Sequence, residues 1–181
     1  MIYRISDKES AKARNALFLE RGLPALEKNG FVKSPYTTAW FGRDNHRGFS
    51  YEMVRLGGDS NLEMMLVYII YGERWIQEHI NVFRLSPKVS SIDSLAGLDG
   101  LGFHLPPCSK SLTRLTPPGG LIFAGFPQHR LRFFLTKSGF NRRVSQLGKV
   151  LEKDLRDIDS FFDRWHAENQ PISTDWTGKA L

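Results

Sequence analysis

Residues 49–85, FSYEMVRLGGDSNLEMMLVYIIYGERWIQEHINVFRL, decide the fold. Phe49, Tyr51 and Met53 alternate with Ser50 and Glu52, the period-two pattern of a strand buried on one face. Gly57-Gly58-Asp59-Ser60-Asn61 turns the chain. Residues 62–71 are then apolar on both faces and rich in β-branched and aromatic side chains, which places them in the middle of a sheet. Gly72-Glu73 fits a two-residue hairpin turn with Gly at its first position. The run 75–85 carries Ile76, Ile80 and Val82 on one face and Gln77, His79 and Asn81 on the other, so one side of the sheet is expected to be wet along it. Short β runs joined by polar turns make an antiparallel meander.

Working outward toward the N-terminus, residues 36–41 are the preceding strand and 42–48 its connection. Residues 7–29 read as helix, with Ser6 as N-cap and Ala13, Leu17, Phe18 and Leu26 near helical spacing. Gly22 and Pro24 predict a kink, and Gly30 a left-handed cap.

Toward the C-terminus, residues 86–120 form an irregular insert in which Pro87, Pro106, Pro107, Pro117 and Pro118 alternate with glycines. A loop this long holds a short helix, here 92–96, or serves as a binding loop. Two short β runs are expected at 121–124 and 131–136. Val144, Leu147, Leu151, Leu155, Ile158, Phe162 and Trp165 then recur at steps of three and four, one stripe of a helix over 141–166. Residues 167–181 are expected to be a loosely held tail on which Trp176 docks. The order describes one domain over 1–181 of the α+β class. Its antiparallel meander of four to six strands has the N-terminal and long C-terminal helices packed on one face.

The chain has 181 residues, 41% apolar and 12% aromatic, enough to bury a core and too apolar for a dominantly disordered state. Cys108 is the one cysteine, so no disulfide forms within the chain. The N-terminus has no secretory pattern and the longest apolar run, 64–71, is far short of a bilayer span of roughly 20 residues. The expectation is a cytoplasmic protein of a reducing compartment with no membrane contact.

No motif with the spacing of a catalytic, metal or cofactor site emerges. His104 and Cys108, with His129 beyond, make an imaginable thiol or metal site, but Pro106 and Pro107 prevent helical alignment and the ligand set is short. The glycines of 97–102 do not keep the order of a dinucleotide loop. The acidic run of Glu152, Asp154, Asp157, Asp159 and Asp163 is interleaved with Lys153, Arg156 and Arg164 and reads as a solvated, ion-paired face. His166 suits a helix C-terminus, and His46 and His79 share no constellation.

Charge is more informative. The net +6 is not spread evenly: no acidic residue lies between Asp99 and Glu152, while Lys110, Arg114, Arg130, Arg132, Lys137, Arg142, Arg143 and Lys149 all do. The other 17 Lys and Arg are outnumbered by 19 Asp and Glu. Arg142 and Arg143 fall in the first turn of the expected final helix, where a cation opposes the macrodipole unless an anion sits there. These eight residues are therefore the candidate anion- or partner-binding set.

Leu26-Glu27-Lys28-Asn29-Gly30-Phe31, with Leu151-Glu152-Lys153-Asp154-Leu155 leading to Ser160-Phe161-Phe162-Asp163-Arg164-Trp165, resembles the helix ends of small bacterial α+β proteins of the toxin-immunity type. The resemblance implies a non-catalytic bacterial protein-binding domain that neutralises a toxin by occlusion. Given the basic segment, the partner would be a toxin with an acidic surface and not a basic nuclease. The alternative is a nucleic-acid or polyanion binder using residues 110–149, and the third reading is an enzyme with a site in the insert.

Overall fold

A computed structural model describes residues 3–104, 109–115 and 129–181. Cys108, Pro106, Pro107, Pro117, Pro118 and the expected strand at 121–124 lie outside the described residues. The chain opens with α1 (Asp7–Leu17), started by Ser6 and Glu9 as a reciprocal capping box. A π-helical turn, Phe18–Gly22, joins it to α2 (Leu23–Lys28). The expected kink at Pro24 is thus a widened turn, in which the Leu23 N–H reaches back to the Phe18 carbonyl. Proline cannot supply the next amide, and the wider turn takes up its ring without ending the helix. Gly30 closes α2 at φ 80°.

Among the described residues the sheet has seven strands: β1 (Val32–Lys33), β2 (Phe41–Arg43), β3 (Phe49–Leu56), β4 (Asn61–Ile69), β5 (Gln77–Leu85), β6 (Lys110–Ser111) and β7 (Ile172–Thr174). The antiparallel ladders β3–β4 and β4–β5 form its centre, with Tyr51 opposite Val67 and Met65 opposite Ile80. The expected strand at 36–41 is replaced by two short edge strands, β1 and β2, both paired with β3. The β4–β5 turn is centred on Tyr71-Gly72, one residue earlier than expected, because Gly72 supplies φ 85°.

After α3 (Leu112–Leu115), the expected final helix is two, α4 (Lys137–Arg156) and α5 (Ile158–Glu168), with a break at Asp157. The stripe is nevertheless continuous: Leu147, Leu151, Leu155, Ile158, Phe162 and Trp165 are all buried against the sheet face that carries Tyr51, Met65, Ile76 and Ile80. Gly148 lets α1 and α4 approach, since a Cβ there would stand 2.6 Å from Leu17. Residues 131–136 form no strand; the chain meets the sheet edge at a bridge between Trp75 and Arg130, next to which the Leu131 N–H donates to the Arg74 carbonyl at 2.7 Å.

The second sheet face is not wet. Val54, Leu62, Met64, Leu66, Phe83 and Leu85 pack there under Tyr36, Val89, Leu95 and Phe103. The insert is therefore a structural cover over the described part of its length, and the short helix expected at 92–96 is a 3-10 turn, Ile92–Leu95. The tail, expected to be loose, is tied down: β7 runs parallel to β5, and the Trp176 indole donates to the Pro87 carbonyl at 2.6 Å. Its apolar rings and β-branched side chains complete the cover that local patterning does not reveal. Trp176→Ala is expected to cost about 2 kcal/mol through lost burial and one hydrogen bond. Urea denaturation checks this; no shift in midpoint would mean that the tail is not part of the cooperative unit.

Candidate functional site

Among the described residues, the cover on the second sheet face reaches His104, beside one end of that face. Ser50, paired with Tyr68 across β3 and β4, and Glu52, paired with Leu66, lie at that end. Around them opens a cleft of about 420 Å³, walled by Trp40, Tyr51, Tyr68 and Tyr71 and bordered by Ile70, Asp44 and His104. This is the size of a ligand or side-chain pocket.

Its floor is charged. Glu52 is 2% exposed, yet its Oε1 accepts from the Ser34 hydroxyl at 2.7 Å and its Oε2 lies 2.9 Å from His104 Nε2. The approach is off the line of the ring N–H, so the second contact is an ion pair and not an aligned hydrogen bond. Contact with Glu52 raises the His104 pKa above its ordinary value against the opposing effect of burial. Burial and the Glu52 charge push the Tyr68 phenol up.

Asp44 borders the same cleft in the turn that joins β2 to β3. Its Oδ1 accepts from the His46 and Gly48 amides, each at 2.8 Å, and its Oδ2 from Ser50 Oγ at 3.2 Å. Gly48 is required by close approach: a Cβ would stand 2.6 Å from the Ile69 carbonyl. Among the described residues, neutral donors alone meet Asp44 and a single histidine ring faces Glu52, so two carboxylates line a cleft that no lysine or arginine lines. Its rim is apolar and open, with Trp40 41%, Ile70 39% and Tyr71 37% exposed and Phe41 beside them on β2.

His129 lies elsewhere. It is 1% exposed between β5 and α4, with Nδ1 at 2.7 Å from Glu78 Oε1 and Nε2 at 2.9 Å from Asp154 Oδ2. Only an imidazolium can donate on both sides. Burial works against that charge, but the two carboxylates outweigh it and push the His129 pKa up to about 9. Burial in turn pushes the Glu78 carboxyl up. The carboxylates occupy opposite ring nitrogens and do not converge on a common point, and no group of three or more His, Cys, Asp or Glu side chains among the described residues is arranged to hold a metal ion. The trio is a buried clamp between sheet and helix.

His104 and His129 are thus in separate places, on opposite faces of the sheet. The acidic run is largely spent on internal pairs: Glu152 with Arg21 and Arg156, Asp159 with Arg55, Asp154 with His129. A wider depression beside Arg55 measures about 820 Å³, but Arg55 is already held by Glu63 and Asp159.

The eight basic residues are dispersed over four segments: Lys110 on β6, Arg114 on α3, Arg130 and Arg132 on the segment before α4, and Lys137, Arg142, Arg143 and Lys149 along α4. None forms an ion pair among the described residues. Because Thr136 caps α4 at Gly139, the helix begins at Lys137, and Arg142 and Arg143 stand in its second turn and not its first. The macrodipole argument for an anion therefore does not apply to them. Arg142 and Lys149, seven residues apart, share the outer face of α4, while Arg143 donates to Gln146 at 2.9 Å. Sequence reasoning missed the cleft because Trp40, Asp44, Glu52, Tyr68 and His104 come from segments that no local pattern connects.

Comparison with protein-family models, with curated proteins and with solved structures finds no match for this chain.

Proposed function

We propose that this is a protein-binding domain whose recognition surface is the aromatic-rimmed cleft at the end of β3 and β4. The observation that carries the reading is the gathering of Trp40, Ile70 and Tyr71, each more than a third exposed, around a floor holding a buried carboxylate. Large apolar side chains exposed together beside a pocket are what interface hot spots look like before a partner covers them. The acidic floor complements a basic partner surface. Neutralisation of a toxin by occlusion is the form of this function that the resemblance to immunity proteins implies. The cell compartment is read as cytoplasmic because the single cysteine leaves no disulfide within the chain.

The His104–Glu52 pair could also serve acid–base chemistry, but neither ring nor carboxylate is aimed at a nucleophile among the described residues. The dispersed cations of residues 110–149 favour polyanion binding less, since none of them lines either of the two cavities described above.

The test is capture of a partner from the native host with the intact protein, followed by the same capture with Trp40→Ser plus Tyr71→Ser. A stoichiometric partner lost with this variant and retained with Arg142→Ala plus Arg143→Ala is expected. A partner lost only with the arginine variant, or no stoichiometric partner at any salt concentration, would overturn the reading.

A further inference from the structure

We infer that the cleft takes a cationic side chain, lysine or arginine, presented by the partner protein. The inference rests on the protein-binding reading above and adds the chemistry of the anchor. Three features of the cleft converge on it.

The first is the wall. The rings of Trp40, Tyr68 and Tyr71 border one concavity. Aromatic faces carry partial negative charge and attract an ammonium or guanidinium placed against them, most strongly where water is excluded. The second is the floor. Glu52 is buried at 2% exposure and retains acceptor capacity beyond its contacts with Ser34 and His104, since a carboxylate has about four acceptor sites. The third is the charge balance. Among the described residues, two carboxylates line the cleft, Glu52 facing one histidine ring and Asp44 met only by two amides and a hydroxyl, and no lysine or arginine lines it. An anion would be repelled by Asp44, and a purely apolar group would leave its charge facing a dry wall. A cation with an apolar stem satisfies both parts: the stem lies along Ile70 and the rings, and the head reaches the carboxylates.

The volume is also adequate. About 420 Å³ admits one long side chain with its flanking backbone, whereas a folded element would not enter. The occupant is therefore a single projecting residue and not a docked helix.

The experiment is a titration of the intact, isotopically labelled protein, followed by amide chemical shifts, with the N-acetyl N-methylamides of lysine and arginine. Those of norleucine and citrulline, their neutral counterparts in shape, run in parallel. The cationic pair is expected to shift the amides of residues 44–50 and 68–72 saturably, with the neutral pair at least fivefold weaker. Glu52→Gln should weaken the cations at least fivefold and leave the neutral compounds unchanged. If that buried substitution disrupts the fold, Trp40→Leu on the exposed rim carries the same expectation. Equal binding of neutral and cationic compounds, or no saturable shift at these amides, overturns the inference. A host partner that depends on Trp40 and Tyr71 while neutral and cationic compounds bind equally removes the cationic anchor and leaves the protein-binding reading. Cation-selective binding with no host partner removes the protein-binding reading and leaves a site for organic cations.

Discussion

His129→Ala is expected to lower the free energy of unfolding by about 3–5 kcal/mol at pH 7, a large part of the total for a domain of this size. The imidazolium is enclosed by Glu78 on β5 and Asp154 on α4, at 2.7 and 2.9 Å. Removing it leaves two carboxylates without their shared donor, one of them 4% exposed. The wild-type pH dependence follows from the same geometry. The pKa of His129 rises from 6.5 unfolded to about 9 folded, so its contribution is fully present below 6.5 and is lost as pH climbs through 9. Glu78 is also raised by burial, so the folded state holds its proton more firmly, and that contribution too declines with rising pH. Both shifts act in one direction, and stability should fall by up to about 3 kcal/mol between pH 6.5 and 9. Denaturation across that window checks it. A stability that rises with pH, or a His129→Ala cost under 1 kcal/mol, would contradict the clamp.

Arg14→Ala is the second large effect, about 2–5 kcal/mol. Arg14 is 0% exposed and no carboxylate contacts its guanidinium; Nη1 donates to the Trp75 carbonyl at 2.7 Å and Nη2 to that of Ile70 at 3.1 Å. It thereby fastens α1 to the β4–β5 turn. Burial lowers its pKa to about 10, still far above neutrality, so it remains charged. Truncation removes this donor from two part-buried carbonyls, whereas Arg14→Lys offers a single point donor and should recover only part of the loss. Guanidinium denaturation of the three proteins gives the ranking; equal stability of the alanine and lysine variants would show that the carbonyl contacts contribute nothing. Because Ile70 and Tyr71 belong to this turn, loss of Arg14 should also loosen the cleft rim.

The helix-facing half of the fold was legible because its information is local. The 147, 151, 155, 158, 162, 165 stripe encodes burial by its helical spacing, and the described residues bear it out, whereas the alternation of 49–53 does not mark a one-sided strand, since Ser50 and Glu52 are buried along with Tyr51 and Met53. The cover on the other sheet face was not legible. Gln77 and His79 read as a wet face beside Asn81, yet Phe83 and Leu85 on the same side are buried by Val89, Leu95 and Phe103, contacts that no periodicity announces. The tail failed as an expectation for the same reason, its strand β7 being stabilised only by pairing with β5. The α4 start was misplaced because Thr136, the true cap, precedes the apolar stripe by eight residues, and that shift removed the argument for an anion at Arg142 and Arg143.

The His129 clamp shows the limit most plainly. Its partners lie 51 and 25 residues away, so the sequence shows three isolated polar residues where the fold makes one network. The candidate cleft has the same origin. Trp40, Glu52, Tyr68 and His104 acquire a common purpose only when the chain around β2, β3 and β4 meets residue 104 of the insert.

The central claim is that this cleft is where the protein is engaged. Amide hydrogen exchange of the protein alone and in complex with its host partner tests it most directly. The account predicts protection concentrated in residues 40–52 and 66–72, with the outer face of α4 unchanged. Protection confined to residues 130–132 and 142–149, with the cleft exchanging as freely as in the unbound protein, would contradict it.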